Sequence, residues 1–234
     1  MITAFYTAAT GAVQLQKGLD VTANNVANVS STGYKASQST FADLVYTNID
    51  APQGSNSDLK SGHGVKLDKT STLLSQGGLE QTGRSLDYAV TADNGFFAVQ
   101  KGNTVEFTKN GDFHLSTVDG KNYLSTSDGG LVLDSKGQPI TAVNEQDNLD
   151  VGVYTFSNCD ALERVGDTSF TATDGSGAAQ AVTSPEIKKG WLEGSNVNMA
   201  DEMVSVMELQ RAFQMNSKII QISDEISQNI NSLR

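Results

Sequence analysis

Cysteine occurs once in the 234 residues, at Cys159, so no disulfide can close within the chain. The surrounding sequence reads as β, where a small, partly buried thiol is the expectation. Histidine occurs twice. His63 sits in the turn-like Ser61-Gly-His-Gly64, and His114 alternates with Phe113 and Leu115 as a strand residue facing water. Neither has a recognisable base or orienting partner, so no nucleophilic constellation can be assembled and no enzyme is expected. Zinc would need more His or Cys than the chain has. The Asp-Gly pairs lack the acidic spacing of a calcium loop and read as turns. Gly175-Ser-Gly177 is not followed by Lys-Ser/Thr, which excludes a P-loop. No cofactor and no metal are expected.

Positive charge is also scarce. Sixteen Lys and Arg face 27 Asp and Glu, for a net charge of −11. Phosphate backbones need clustered cations, so nucleic acid is not an expected partner. Anionic membrane surfaces would repel the chain. No apolar run reaches the 18 or more residues of a membrane span, and Met1-Ile-Thr-Ala-Phe5 lacks the basic start of a cleaved secretory signal. Membrane insertion is not expected. Proline is rare, at 3 residues, and glycine frequent, at 22.

What is present begins with two long helical segments. From Asn198 to Leu233 there is no Gly and no Pro. Asn198 suits an N-cap, and Asp201 and Glu202 follow where a helix N-terminus favours negative charge. Val206, Leu209, Phe213 and Ile220 lie near one face of this helix. Met215, Ile219, Ile222, Ile226, Ile230 and Leu233 run down another. A helix apolar on two sides must be covered on two sides.

Residues 2 to 29 form the second segment. Ile2, Phe5, Ala9, Ala12, Gln16, Leu19, Ala23 and Val26 recur in steps of three and four, the period of a thin coiled-coil seam. Its end is expected near Ser30 and Ser31, with Gly33 as the residue just past the cap. Asn24, Asn25 and Asn28 cluster in the last turns. Their amides either fray the helix before a loop or bond the backbone of another chain.

Between the helices, residues 47–64 are polar and read as a linker or extended arm. From Val65 to about Ile187 the period becomes that of strands. Leu86-Asp-Tyr-Ala-Val90, Gly95-Phe-Phe-Ala-Val99, Val105-Glu-Phe107, Asp112-Phe-His-Leu115 and Val151-Gly-Val-Tyr-Thr-Phe156 are the clearest. Asn110-Gly111, between two of them, is a strong local hairpin signal. Further turns are expected at Asp119-Gly120, Asp128-Gly129-Gly130 and Ser135-Lys136-Gly137. The predicted fold class is α+β. Long N- and C-terminal helices pair as a coiled-coil-like unit, and an antiparallel β domain is inserted between them. The expected divisions are 1–46, 47–64, 65–190 and 191–234. Two paired helices would leave large apolar faces open, and other copies of the chain are expected to cover them.

Three blocks resemble one family. Ala23-Asn-Asn-Val-Ala-Asn-Val-Ser-Ser-Thr-Gly-Tyr-Lys35 is similar to the N-terminal signature of bacterial flagellar rod and hook axial proteins. Gln76-Gly-Gly-Leu79, Leu86 to Val90, Gly95-Phe-Phe97 and Phe107-Thr-Lys-Asn-Gly-Asp-Phe113 resemble their shared β segment. Leu192-Glu-Gly-Ser-Asn-Val-Asn198, with Met203 and Leu209-Gln-Arg-Ala-Phe213, resembles their C-terminal signature. Rod proteins, the distal one in particular, are most similar. Val90-Thr-Ala-Asp-Asn94 departs from the usual Gly-X-Gly before the aromatic pair, and Lys109 stands where Arg is common.

The resemblance implies a non-enzymatic subunit of the basal-body rod, polymerising into a rigid helical shaft that transmits torque from motor to hook. It implies export by the flagellar type III apparatus without a cleaved peptide, and partners among the other rod and hook proteins. A short hook-type subunit is the alternative within that class. A secreted β-rich enzyme or glycan-binding module is the alternative outside it. Under the rod reading Phe5, Leu19, Val26, Val206, Leu209, Phe213, Ile220 and Ile226 pack seams within and between subunits. Asn24, Asn25, Asn28, Asn196 and Asn198 supply polar register, with Gly33 at the signature loop. Ordering the ends costs about 1–2 kcal/mol per residue of backbone, so their folding is expected to be coupled to polymerisation.

Overall fold

The computed structural model describes residues 2–48, 60–92, 94–118, 120–142 and 149–233. Two long terminal helices in contact and an antiparallel β region between them make the chain α+β, as the sequence predicts. It divides into two compact units: 1–26 with 37–71 and 199–234, and 27–36 with 72–198. Most of the proposed arm, residues 49–59, lies outside the described residues.

The first unit holds α1 (Ile2–Ala27), β1 (Ser37–Asp43), β2 (Tyr46–Asn48), β3 (Lys60–Gly62) and β4 (Val65–Thr72), and closes with α2 (Met199–Ser232). Strand β1 pairs with β4, and β2 pairs with β3. The helices run antiparallel in a heptad register. Gly11 faces Asn216, Gly18 faces Leu209, and Asn25 bonds Glu202, so steps of seven ascend α1 as they descend α2. A Cβ at Gly18 would come within 2.8 Å of the Phe41 ring on β1. Glycine is required there for close packing.

This register corrects two readings of α1. The buried stripe is Ala8, Gly11, Ala12, Gly18, Thr22 and Asn25, whereas Phe5, Gln16 and Ala23 of the predicted seam are exposed. Apolar spacing missed the glycines, which bring the helices together because they have no side chain. The helix also ends at Ala27, earlier than expected, and Gly33 is not its cap. Gly33 adopts φ +69° in the second unit, where its N–H donates to the Glu193 carbonyl at 2.7 Å. A Cβ on it would stand 2.4 Å from the Asn110 nitrogen.

The second unit contains β5 (Leu79–Gln81), β6 (Tyr88–Val90), β7 (Phe96–Lys101), β8 (Thr104–Thr108), β9 (Phe113–Val118), β10 (Lys121–Thr126), β11 (Leu131–Val132), β12 (Val153–Thr155), β13 (Glu163–Arg164), β14 (Ser169–Thr171), β15 (Gln180–Ala181), β16 (Ile187–Lys189) and β17 (Trp191–Glu193). Its main sheet runs β13-β14-β8-β7-β11-β10-β9, with β12 bridging β7 and β15. Smaller pairs join β16 to β6 and β17 to β5. Strand β7 is buried on both faces, which explains its uninterrupted Phe96-Phe-Ala-Val99. Phe97 and Val99 enter a core with Tyr88, Phe113, Leu124 and Val153. Phe96 and Ala98 enter another with Phe107, Leu133, Phe156 and Phe170. Edge-to-face rings, such as Phe107 on Phe156 at 4.8 Å, tie the second core together.

The Asn110-Gly111 signal does not make a hairpin. Strand β8 pairs with β7 and β14, while β9 pairs with β10. The Asn110 carboxamide instead accepts from the Asp112 N–H at 3.0 Å, and the Gly111 carbonyl accepts from the Tyr88 N–H at 3.1 Å. A Cβ at Gly111 would overlap the Tyr88 carbonyl oxygen at 1.6 Å. The pair turns the chain between non-adjacent strands, a choice made by contact with β6. The tight hairpins lie at Gly102, between β7 and β8, and at Gly120, between β9 and β10. Cys159 is half-buried as expected, but it opens a 3₁₀ turn and lies outside the strands.

Candidate assembly interface

Helix α2 is a continuous rod of 34 residues, roughly 51 Å at 1.5 Å per residue. None of its described residues is fully buried. Glu202, Val206, Leu209, Asn216 and Ile220 form its half-buried side, and Leu209, Asn216 and Glu202 meet α1 there. The other face is bare. Met215, Ile219, Ile222, Ile226, Ile230 and Leu233 are exposed, from 43% at Ile226 to 87% at Leu233. Their spacing of four, three, four, four and three is that of a second coiled-coil seam. Phe213 is also exposed, at the border between the two faces. On α1, Phe5, Tyr6 and Val13 are exposed, while Leu19 and Val26 are half-buried. The contiguous bare stripe on α2 is the strongest candidate for a functional surface.

The asparagines fall into two groups. Asn25 is buried, and its amide is engaged within the first unit. Nδ2 donates to the Ser37 carbonyl at 2.8 Å and to Glu202 Oε1 at 2.9 Å, and Oδ1 accepts from the Ser37 N–H at 2.9 Å. Asn196 does the same in the second unit. Oδ1 accepts from the Ala36 N–H at 2.7 Å, and Nδ2 donates to the Leu73 and Ser75 carbonyls at 2.8 and 3.1 Å. Asn28 is half-buried and accepts from the Ser31 hydroxyl at 3.0 Å. Asn24 and Asn198 are exposed.

Sequence reasoning missed the ionic clasp beside Asn196. Lys35 ends the N-terminal signature and Glu193 opens the C-terminal one; both are fully buried, with Lys35 Nζ 2.6 Å from Glu193 Oε1. Nζ also donates to the Ser75 carbonyl at 2.7 Å, and Glu193 Oε1 accepts from the Gly77 N–H at 2.9 Å. Arg164 stacks 4.9 Å above the Tyr34 ring and donates to the Lys35 carbonyl. The three resembling blocks thus meet at one point. Charged residues embedded in apolar signatures were the available signal. Their pairing across 158 positions was not visible.

Among the described residues no group of three or more His, Cys, Asp or Glu could hold a metal. His114 is exposed on β9 and His63 is exposed in its turn. Burial raises the pKa of Tyr88. Burial first, and Asp134 second, raise that of Tyr154. Neither hydroxyl stands beside a candidate nucleophile. Among the described residues no helix is long and apolar enough to cross a membrane.

Paired terminal helices, an inserted β unit and a bare apolar seam define a structural subunit of the flagellar axial class. Two family models match its ends: the flagella basal body rod protein over residues 5–35, and the flagellar basal body rod FlgEFG protein C-terminal over residues 188–233. The chain is 32% identical to the flagellar basal-body rod protein FlgG of Bacillus subtilis, with all of both chains covered. It is 34% identical to FlgG of Agrobacterium fabrum, over 94% of this chain and 95% of that one. The flagellar hook-basal body complex protein FlhP of Bacillus subtilis is 27% identical over the full length of both.

The chain belongs to the flagellar basal-body rod protein family. It is a structural subunit of the rod in the flagellar basal body, non-enzymatic, and assembles with flagellar rod components.

Proposed function

We propose that the chain polymerises with copies of itself into a stiff, straight, helical section of the rod that carries torque toward the hook. The bare seam from Met215 to Leu233 supports this reading, because a stripe of six large apolar residues is stable in water only when covered. Phe5, Phe213 and Ile226 then pack between subunits. Leu19, Val26, Val206, Leu209 and Ile220 keep each helix pair in register. Asn24, Asn28 and Asn198 supply polar contacts, while Asn25, Gly33 and Asn196 brace the segments that present them. Stiffness follows from close packing of long helices, since packed interiors compress little. Other rod and hook proteins adjoin the polymer, and the chain reaches its place through the flagellar type III export apparatus.

Phe213→Asp tests the assignment. The variant should not enter flagella, while the second unit keeps its native near-ultraviolet circular dichroism. Normal motile flagella built from the variant would remove Phe213 from the interface. Polymers grown in vitro should be straight; curved tubes would favour a hook-type subunit.

A further inference from the structure

The first unit carries a groove of about 360 Å³ beside the start of α1, walled by Thr3, Ala4, Thr7, Ala8, Gly62 and Ile219. Its walls are mostly small, and Ile219 belongs to the bare seam of α2. Lower on the same seam, Ile226, Ile230 and Leu233 project as three bulky apolar side chains with nothing packed over them. Knobs and a hole of matching character therefore lie on one molecule, at different residues.

We infer that the last two turns of α2, residues 226–233, dock into this groove on a second copy of the chain. The inference rests on the self-assembly reading and names the contact that drives it. A chain's own tail cannot fill its own groove. The groove meets α2 at Asn216 and Ile219, and the helix runs unbroken from there to Ser232 with no Gly or Pro at which to fold back. The helix ends favour the same arrangement. α1 has no acidic residue in its first turn, and α2 has no basic residue in its last. Each end thus lacks a side chain that complements its dipole. The negative C-terminal end of one α2, laid beside the positive N-terminal end of another copy's α1, compensates both. Tail and groove occur once on every copy, so the occupant is this chain. Because the two surfaces are different patches, the contact is heterologous and propagates as an open polymer, without closing as a two-fold dimer.

The test uses full-length protein in a Cys159→Ser background, with Ala4→Cys and Ile230→Cys made separately. The two variants are mixed under assembly conditions and oxidised. The expected result is a disulfide-linked dimer containing one of each, at least ten-fold above either variant alone. A linkage equal in the single-variant samples would overturn the inference. So would a linkage within one chain of the double variant. A second variant ends at Glu225. It should retain the α1–α2 pair and the folded β unit, yet form no long polymers; polymers of normal length would also overturn the docking. If the unmodified chain polymerises without the cross-link, the tail contact alone is wrong. If the unmodified chain stays monomeric under every assembly condition, self-assembly fails and the docking with it.

Discussion

Strand β7 and helix α2 bury themselves in opposite ways. Four of the six β7 residues, Phe96 to Val99, are buried, in two cores on opposite faces. None of the described residues of α2, over 34 positions, is buried. The β unit is therefore complete within one chain, while the helical unit presents more apolar surface than its own partners cover. Folding free energy is local in the first case and shared between chains in the second. A rod subunit needs both, a unit that holds its shape alone and a unit that becomes solid among neighbours.

The contrast can be broken most directly in the β core. Phe97→Ala should destabilise the second unit by about 3–5 kcal/mol through lost contacts and a cavity. Denaturant unfolding followed by tyrosine fluorescence would measure it. A loss under about 1 kcal/mol would show that this core is not self-sufficient.

Removing one half of the clasp should come close behind. Lys35→Ala leaves Glu193 charged and buried, at a cost of about 3 kcal/mol or more. The double variant Lys35→Met with Glu193→Leu should regain most of that, because no charge is then left unpaired. Equal losses in the single and double variants would mean that shape outweighs charge at this point.

The smallest effect on monomer stability belongs to the seam. Ile222→Ser should change it by no more than about 0.5 kcal/mol, since the side chain is exposed. The same change should raise the concentration needed for polymerisation several-fold. A large loss of monomer stability would show that α2 is already covered in the single chain, and the contrast with β7 would collapse.

Legibility followed the range of each signal. The start of α2 at Met199, the doubled apolar faces of that helix and the strands around Phe96, Phe113 and Val153 were readable, because propensity and period act over a few residues. The inward face of α1 was misread because Gly11 and Gly18 carry no hydrophobic mark. The Asn110-Gly111 pair was misread because its preferred hairpin lost to a backbone contact with Tyr88. Of the candidate interface residues, those on α2 were found by their period. The amides of Asn25 and Asn196 looked alike in sequence as surface register elements, and the structure engages both within the chain.

From sequence alone came the order helix, β region, helix, the excess of apolar surface on the last helix, and the absence of residues for catalysis. Each depends on composition or on spacing within a few turns. Only the folded structure decided which α1 stripe meets α2, where Gly33 lies and how Lys35 finds Glu193. Those outcomes depend on backbones approaching to within an ångström-scale tolerance between segments more than a hundred residues apart, and local preference carries no information about that distance.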